Sequence, residues 1–371
     1  MNPRSIFLCG ILATLLAGCS TDPSGQKHSS STPAERDGSV LGLFVPGKPS
    51  PAAFRQGESV ILIGEEPAAL ANLPRKGSPV AVRSTYQRDP AGTEYVQGQD
   101  FVVDYTTGTL RRTPASRIPD FRTNMLYGQT VFDHSKFPGF GNTHFFAFVD
   151  YTAAKKPHWP EQPPQTQFLK ATKARLQTGQ PLKIVAFGDS ITAGGDVTKP
   201  EYLFWKRWAD DLQKRHPASQ ITSVNGATGG DSTAQGLARL QAKVIDEKPD
   251  LVLIGFGMND HNINSVTIPK FEENLQTLVN RIRAETKAEV VLFSAFPPNP
   301  KWKFGSHHMV DYAAATGRVA QQLSCAYADV FSNWVSISDR KKPEDLLGNN
   351  INHPNDFGHW VYFRVLQNLG L

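Results

Sequence analysis

Five apolar segments in the C-terminal half constrain the fold of this chain more than any other feature. They are KIVAF (183–187), ITSVN (221–225), LVLIGFG (251–257), EVVLFSAF (289–296) and AYADVF (326–331). Amphipathic stretches with a helical period lie between them, and FEENLQTLVNRIRAET is one example. Buried strands spaced by amphipathic helices predict a parallel sheet that is covered on both faces. We therefore expect a three-layer α/β/α domain over residues 181–371.

The residues before this domain follow a different pattern. Short β-branched and aromatic runs, such as PVAVRSTYQ and THFFAFVDYT, lie between turn signals, and TTGT is typical of a hairpin turn. This pattern predicts a small β-sandwich over residues 40–152. Residues 153–180 begin with the proline-dense stretch KKPHWPEQPPQ, which indicates a linker followed by a leading helix.

The N-terminus is typical of an exported protein. Arg4 precedes a short apolar run that ends in Leu16-Ala17-Gly18-Cys19. This ending resembles a bacterial lipobox and implies a signal peptide over 1–18, lipid attachment at Cys19 and a membrane anchor, by resemblance in the outer membrane. A simple secretory signal with a coincidental cysteine is the alternative. Residues 19–39 are polar and rich in Ser and Pro, which predicts a flexible tether.

Composition excludes several other functions. The net charge of the 371 residues is +5, and no basic stripe with interleaved aromatic residues indicates nucleic-acid binding. Of three cysteines, Cys9 leaves with the signal peptide and Cys19 carries lipid, so Cys325 is predicted to be a buried thiol without a disulfide partner. His307-His308 lacks the spacing of a metal site, and we predict neither a metal nor a cofactor.

Polar and small residues follow the predicted strands where a parallel sheet collects its ligands. Ser190 comes after the first strand in FGDSIT, Gly230 after the second in VNGATGGD, and Asn259 after the third in GFGMND. His353 lies near the C-terminus in NHPN. A serine on a strand-to-helix turn is exposed above the sheet, and glycine amides and an asparagine amide can bind a developing oxyanion.

Together these four blocks resemble the SGNH (GDSL-type) hydrolase family over about residues 180–371. The resemblance implies that Ser190 is the nucleophile and that His353 is the general base and then the general acid. It also implies an oxyanion hole made by the N–H groups of Ser190 and Gly230 and the side-chain amide of Asn259. We expect Asp189 and Asp260 to support the two turns through hydrogen bonds to backbone amides.

The sequence departs from the family pattern at the acid. An aspartate usually lies three residues before the histidine, and this chain has Asn350 there. Three hypotheses follow: Asn350 orients His353 through its side-chain oxygen, Asp356 or a backbone carbonyl does so, or the site is catalytically dead. Because the other four groups are present, we expect an active enzyme.

The architecture resembles that of carbohydrate esterases with an N-terminal β-domain, which implies removal of O-acetyl groups from a polysaccharide or another small ester. Trp302, in the loop after the fourth strand, is a candidate for stacking on a sugar ring. The alternative functions are an O-acetyltransferase with the same site and a catalytically dead, glycan-binding surface lipoprotein.

Overall fold

The computed structural model describes residues 53–155, 160, 162–262 and 266–371. The predicted signal peptide (1–18), the lipid-attachment residue Cys19 and the tether (19–39) lie outside these residues. Among the described helices, none combines the length and the apolar character needed to cross a bilayer.

The N-terminal part forms two antiparallel sheets. A four-stranded sheet has the order β1-β7-β3-β4 and a three-stranded sheet has the order β2-β6-β5. The TTGT turn joins β5 to β6, and the N–H of Gly108 donates to the carbonyl of Asp104 at 2.8 Å. The two sheets share one apolar core, so the predicted β-sandwich is confirmed. The strands are β1 (Phe54–Ile61), β2 (Ala68–Ala69), β3 (Val80–Arg83), β4 (Glu94–Tyr95), β5 (Phe101–Asp104), β6 (Thr109–Arg112) and β7 (Phe146–Thr152).

Strand β7 is buried on both of its faces. Ala147 and Val149 point into the core of the sandwich, whereas Phe146 and Phe148 point into the core of the C-terminal domain. Successive side chains of a strand point to opposite faces, so one strand can belong to two cores. Burial of a phenylalanine contributes about 1.5–3 kcal/mol. The sandwich is therefore packed firmly against the rest of the protein.

The C-terminal part contains a five-stranded parallel sheet with the order β12-β11-β10-β8-β9. Its strands coincide with the five apolar segments, although the third and fourth strands end before their segments do and the last is also shorter than expected. It ends at Ala328 because Asp329 accepts a hydrogen bond from the N–H of Ser332 and starts a helix at Val330. The strands are β8 (Leu182–Gly188), β9 (Ile221–Asn225), β10 (Leu251–Gly255), β11 (Glu289–Phe293) and β12 (Ala326–Ala328).

Helices cover this sheet in two groups. Helix α3 contacts α9, which contacts α7, and a separate group joins α4, α5 and α6. The predicted three-layer α/β/α domain is confirmed. The helices are α1 (Lys170–Thr178), α2 (Ser190–Ala193), α3 (Phe204–Arg215), α4 (Thr233–Leu240), α5 (Ile268–Thr286), α6 (Met309–Gln322), α7 (Val330–Ser338), α8 (Pro343–Leu346) and α9 (Asp356–Gln367).

Candidate active site

The strand order brings the predicted site residues to one edge of the sheet. Strand β8 lies between β9 and β10, and all three run in the same direction. Ser190 follows β8, Gly230 follows β9 and Asn259 follows β10. A Cβ built on Gly229 would lie 3.8 Å from the Cβ of Ser190, so the loop after β9 passes directly beside the serine. Ligands bind at this edge in open parallel sheets.

His353 reaches this edge from the loop between α8 and α9. Its Nε2 lies 2.8 Å from the Oγ of Ser190, and its Nδ1 lies 2.7 Å from the Oδ2 of Asp196. The side chains of His353 and Asp196 are both about one-quarter exposed, at 23% and 27%. Serine, imidazole and carboxylate therefore form one continuous hydrogen-bonded chain that solvent and substrate can reach.

Asp196 was not among the residues predicted from the sequence. It lies six residues after Ser190, in the stretch ITAGGD, and its φ of 60° is in the left-handed region that aspartate tolerates better than most residues. The two glycines before an aspartate were the available signal for a sharp turn back toward the serine. No acid was expected there, because the family pattern places it beside the histidine.

Two glycines allow the imidazole and the carboxylate to approach each other. A Cβ on Gly195 would lie 2.5 Å from the Nδ1 of His353, and a Cβ on Gly348 would lie 2.5 Å from the Cβ of Asp196. Both distances are far shorter than van der Waals contact. Any larger residue at either position would push apart the pair that faces Ser190.

The backbone around His353 is held by Asn349. The Oδ1 of Asn349 accepts hydrogen bonds from the N–H groups of Ile351, Asn352 and His353, each at 2.9 Å. The N–H of Gly348 donates to the carbonyl of His353 at 2.9 Å. These local bonds fold residues 348–353 into a tight loop and fix the backbone position from which the imidazole of His353 extends.

Asn350 does not orient His353, and this prediction is corrected. Its side chain is buried, and its Nδ2 donates to the carbonyl of Phe140 at 2.9 Å. Its Oδ1 accepts a hydrogen bond from the Nδ2 of Asn142. The φ of Asn350 is 60°, and this left-handed conformation directs the side chain to the β-sandwich, whereas Asp196 occupies the Nδ1 side of the ring.

Asn350→Asp is expected to lower the free energy of unfolding by about 1–3 kcal/mol without raising kcat. One carboxylate oxygen would face the Phe140 carbonyl, which offers no proton, and a charge would be buried. Urea denaturation and ester hydrolysis measure the two effects. Asn352→Asp is the matched control, because its Oδ1 only accepts a hydrogen bond from Asn349. A higher kcat in Asn350→Asp would contradict this prediction and indicate that the side chain at position 350 orients His353.

Asp356 is not the orienter either, which corrects the second candidate. It is the first residue of α9 and is buried. Its carboxylate accepts hydrogen bonds from the N–H of Thr198 at 2.9 Å and from the Oγ1 of Thr198 at 2.6 Å. Burial raises the pKa of Asp356. Asp356 therefore links Thr198, two residues after Asp196, to the final helix and helps to hold the backbone of Asp196 in place.

Two of the predicted oxyanion donors, Gly230 and Asn259, follow the strands on either side of β8. Gly230 is exposed and has a φ of 81°. Asn259 is half-buried, and its Nδ2 donates one hydrogen bond to the carbonyl of Asp231 at 3.0 Å, which leaves the second proton of the amide for a ligand. The carboxylate of Asp231 in turn binds Arg239 at 2.7 Å. The amide of Asn259 is therefore held by the backbone of Asp231, whose side chain is paired with Arg239.

Asp189 and Asp260 lie beneath the two turns and are both buried. Asp189 accepts a hydrogen bond from the N–H of Ile191 at 2.9 Å and caps α2. Asp260 accepts hydrogen bonds from the N–H of Gly257 at 3.1 Å and from the N–H of Thr233 at 2.9 Å. Asp260 thereby joins the turn after β10 to the start of α4. Each carboxylate shapes the backbone that carries a site residue.

Burial raises the pKa of Asp189 to about 7. Its unfolded pKa is about 3.9, so the folded protein binds more protons between these values and stability falls as pH rises. The slope is about 1.4 kcal/mol for each pH unit and ends near pH 7. Asp189→Asn keeps an oxygen for the cap and is expected to remove this slope, as urea denaturation between pH 4 and 8 measures. Parallel pH dependences of the two proteins would contradict the assignment.

Two further sequence predictions concern Trp302 and Cys325. Trp302 does not offer its face to a sugar, because it is 5% exposed and its Nε1 donates to the Nδ1 of His134 at 3.0 Å. Cys325 is a buried free thiol, and burial raises its pKa to about 11. Within the described ranges, no group of three or more His, Cys, Asp or Glu side chains is arranged to hold a metal ion.

Several known proteins are similar in sequence to the C-terminal domain. The sequence model of the GDSL-like lipase/acylhydrolase family matches residues 186–361. Esterase TesA of Pseudomonas aeruginosa is 32% identical over 156 residues, which are 41% of this chain and 72% of that protein. An acetylxylan esterase of Geobacillus stearothermophilus is 23% identical over 216 residues, which are 53% of this chain and 97% of that protein.

Among solved structures, a two-domain esterase active on acetylated mannans is 25% identical, with a TM-score of 0.46. The match covers 54% of this chain and 52% of that structure. The family match includes Ser190, Gly230, Asn259 and His353, and TesA is matched over more than two-thirds of its length. The predicted SGNH (GDSL-type) assignment is therefore confirmed, and the chain belongs to the GDSL-like lipase/acylhydrolase family of carboxylic ester hydrolases.

Proposed function

We propose that the protein is a serine esterase that works through an acyl-enzyme on Ser190. The Oγ of Ser190 attacks the ester carbonyl while the Nε2 of His353 takes its proton. The tetrahedral intermediate collapses, and His353 gives the proton to the leaving alcohol. Water then attacks the acyl-enzyme with the same base, which releases the acid and restores Ser190. Asp196 keeps the Nδ1 proton of His353 in place and stabilises the imidazolium through both steps.

The observation that carries this proposal is the unbroken chain from Ser190 through His353 to Asp196, at 2.8 and 2.7 Å. A site that only binds glycans has no use for an imidazole held between a serine and a carboxylate. The substitution at position 350 favoured the hypothesis of a dead site only as long as no other acid was known. Asp196 removes that reason.

The donors around Ser190 suit the charge that forms on the substrate oxygen. We assign this role to the N–H groups of Ser190 and Gly230 and to the free amide proton of Asn259. Removal of one such donor typically lowers kcat by about 10²–10³. The positive end of α2 adds little, because this helix has one turn.

A fluorophosphonate probe and p-nitrophenyl acetate test the proposal together. The reagent phosphonylates an activated serine, and peptide mass mapping locates the adduct. We expect one adduct, on Ser190, and loss of hydrolysis in proportion to labelling. Prior acylation of the enzyme by p-nitrophenyl acetate is expected to slow labelling. An adduct on another serine, or full hydrolysis by labelled protein, would contradict the assignment.

We further propose that the ester is an O-acetyl group on a carbohydrate. The relative named acetylxylan esterase supports this substrate, since this chain covers 97% of it. The partly exposed His353 and the exposed Gly230 suit a bulky, polar alcohol that stays outside while a small acyl group enters. Acetate release from acetylated xylan and acetylated mannan, compared with hydrolysis of p-nitrophenyl octanoate, tests the proposal. Faster hydrolysis of the octanoate ester would contradict it, and acetyl transfer to an added sugar in preference to water would identify an O-acetyltransferase.

For the location, we propose an exported lipoprotein anchored through Cys19. The support is the Leu16-Ala17-Gly18-Cys19 sequence at the end of a short apolar run. Metabolic labelling with palmitate in a bacterial host, beside Cys19→Ala, tests the proposal. We expect label and membrane fractionation only with Cys19 present. Unlabelled, secreted wild-type protein would indicate a simple secretory signal.

A further inference from the structure

The histidine loop (residues 347–353) is held by a segment of the β-sandwich domain. We infer that this bridging segment (Phe140–Asn142) positions His353 and Asp196, so that catalysis depends on the sandwich through Asn142. The inference rests on the proposed role of Ser190, His353 and Asp196. It assigns a function to the N-terminal domain and to the asparagine at position 350.

Asn142 is the centre of the bridge. It is fully buried, its N–H donates to the carbonyl of Gly348 at 2.7 Å, and its Nδ2 lies 3.0 Å from the carbonyl of Leu347. The same Nδ2 donates to the Oδ1 of Asn350 and lies 3.2 Å from the carbonyl of Glu344. Asn142 therefore contacts acceptors from Glu344 to Asn350 through its backbone N–H and its side-chain amide.

Asn350, in the histidine loop, donates a hydrogen bond to the bridging segment in turn. Its Nδ2 donates to the carbonyl of Phe140 at 2.9 Å, and its own carbonyl accepts a hydrogen bond from the Nδ2 of Asn299 at 2.8 Å. Asn142 and Asn350 are both buried, and across the domain boundary Asn142 donates hydrogen bonds whereas Asn350 both donates and accepts them. A carboxylate cannot donate, so an acid at position 350 could not make the bond to Phe140. The bridge explains why this position holds asparagine here.

Movement of the bridge would reach the catalytic groups through Gly348. Its carbonyl accepts from Asn142, its N–H donates to the carbonyl of His353 at 2.9 Å, and its Cα is packed against Asp196. A displacement of Gly348 would therefore change the distance between imidazole and carboxylate. Misplacement of a reacting group by about 1 Å can cost about 10²-fold in rate.

The bridging segment is itself anchored in the sandwich domain. The carbonyl of Gly141 accepts from the Nδ2 of Asn124 at 3.2 Å, and the carbonyl of Asn142 accepts from the N–H of Phe145 at 2.8 Å, just before β7. A small apolar cluster beside it joins Leu126 and Phe132 of the same domain to Ile351 of the histidine loop. The bridge is thus fixed at both ends.

Asn142→Ala and Asn350→Gly test the inference with p-nitrophenyl acetate, well below the unfolding temperature. Glycine suits the left-handed φ of residue 350 and removes only its side-chain bonds. We expect kcat to fall about 10- to 100-fold in Asn142→Ala, with KM changed by less than about twofold. We expect a smaller fall of the same kind in Asn350→Gly, and the downfield proton signal of the His353 Nδ1–H to broaden or shift in both.

Asp100→Ala is the matched control. Asp100 is fully buried in the sandwich and binds Arg117 at 2.6 Å, away from the histidine loop. We expect this variant to lose thermal stability while kcat and the His353 signal stay unchanged. An equal loss of kcat in the control would show that general destabilisation is the cause and would overturn the inference.

The results that would contradict the inference differ from the results that would contradict the proposed function. If Ser190→Ala and Asp196→Asn are inactive while Asn142→Ala and Asn350→Gly keep kcat within about twofold, only the inference is wrong. If Ser190→Ala remains active, the proposed function is wrong. Should Asn142→Ala not fold, Asn350→Gly alone decides, since it leaves Asn142 bonded to Leu347 and Gly348.

Discussion

Ser190→Ala is expected to lower the kcat for p-nitrophenyl acetate by about 10⁴–10⁶ and to leave folding unchanged. The Oγ of Ser190 lies 2.8 Å from the Nε2 of His353, the proposed general base. The residual rate would come from binding and from the oxyanion donors, which remain in the variant. Steady-state hydrolysis measures the change, and urea denaturation checks that the fold is intact.

The alanine variant removes only a half-buried hydroxyl, so a large loss of stability is not expected. Activity within about tenfold of the wild type would show that Ser190 is not the nucleophile. In that case binding of acetylated glycans, unaffected by the substitution, would become the function to test. Trace wild-type enzyme is excluded if the residual activity is not titrated by the fluorophosphonate probe.

Asp196→Asn is expected to lower kcat by about 10⁴. The carboxylate accepts the Nδ1 proton of His353 at 2.7 Å. An amide that donates at this position would force the proton onto Nε2, and His353 could then no longer accept a proton from Ser190. The substitution conserves size, and the Asp196 side chain is about one-quarter exposed, so folding should be preserved. Hydrolysis of p-nitrophenyl acetate and the fluorophosphonate labelling rate of Ser190 measure the effect.

A comparison with Asn350→Asp distinguishes position 196 from position 350 as the location of the acid that orients His353. If the acid lies at position 196, Asp196→Asn loses activity and Asn350→Asp does not restore it, even in the double variant. If the acid function belongs near position 350, the double variant recovers. A fall in kcat of less than about tenfold in Asp196→Asn would indicate that a backbone carbonyl suffices to orient His353.

Several parts of the site follow from the sequence because they depend on local chemistry. Ser190, Gly230 and Asn259 each come directly after an apolar strand, and parallel strands bring their ends to one edge. The backbone bonds of Asp189 and Asp260 follow from their places beside turns. The predicted role of Trp302 in stacking on a sugar was wrong. The sequence shows an aromatic residue in a loop, but it does not show that Leu126 and Phe132 of the other domain pack against that residue and help to bury it.

The sequence by itself determined the five strands of the parallel sheet, the residues that follow three of these strands, and the family. These depend on the hydrophobic period and on residues adjacent to strands, which are local properties. Only the tertiary structure decided which acid faces His353 and what Asn350 does. The contact of Asp196 with His353 spans 157 positions of the chain, and that of Asn142 with Asn350 spans 208. Contacts so distant in sequence depend on how loops meet above the packed cores, and no local pattern of residues specifies that.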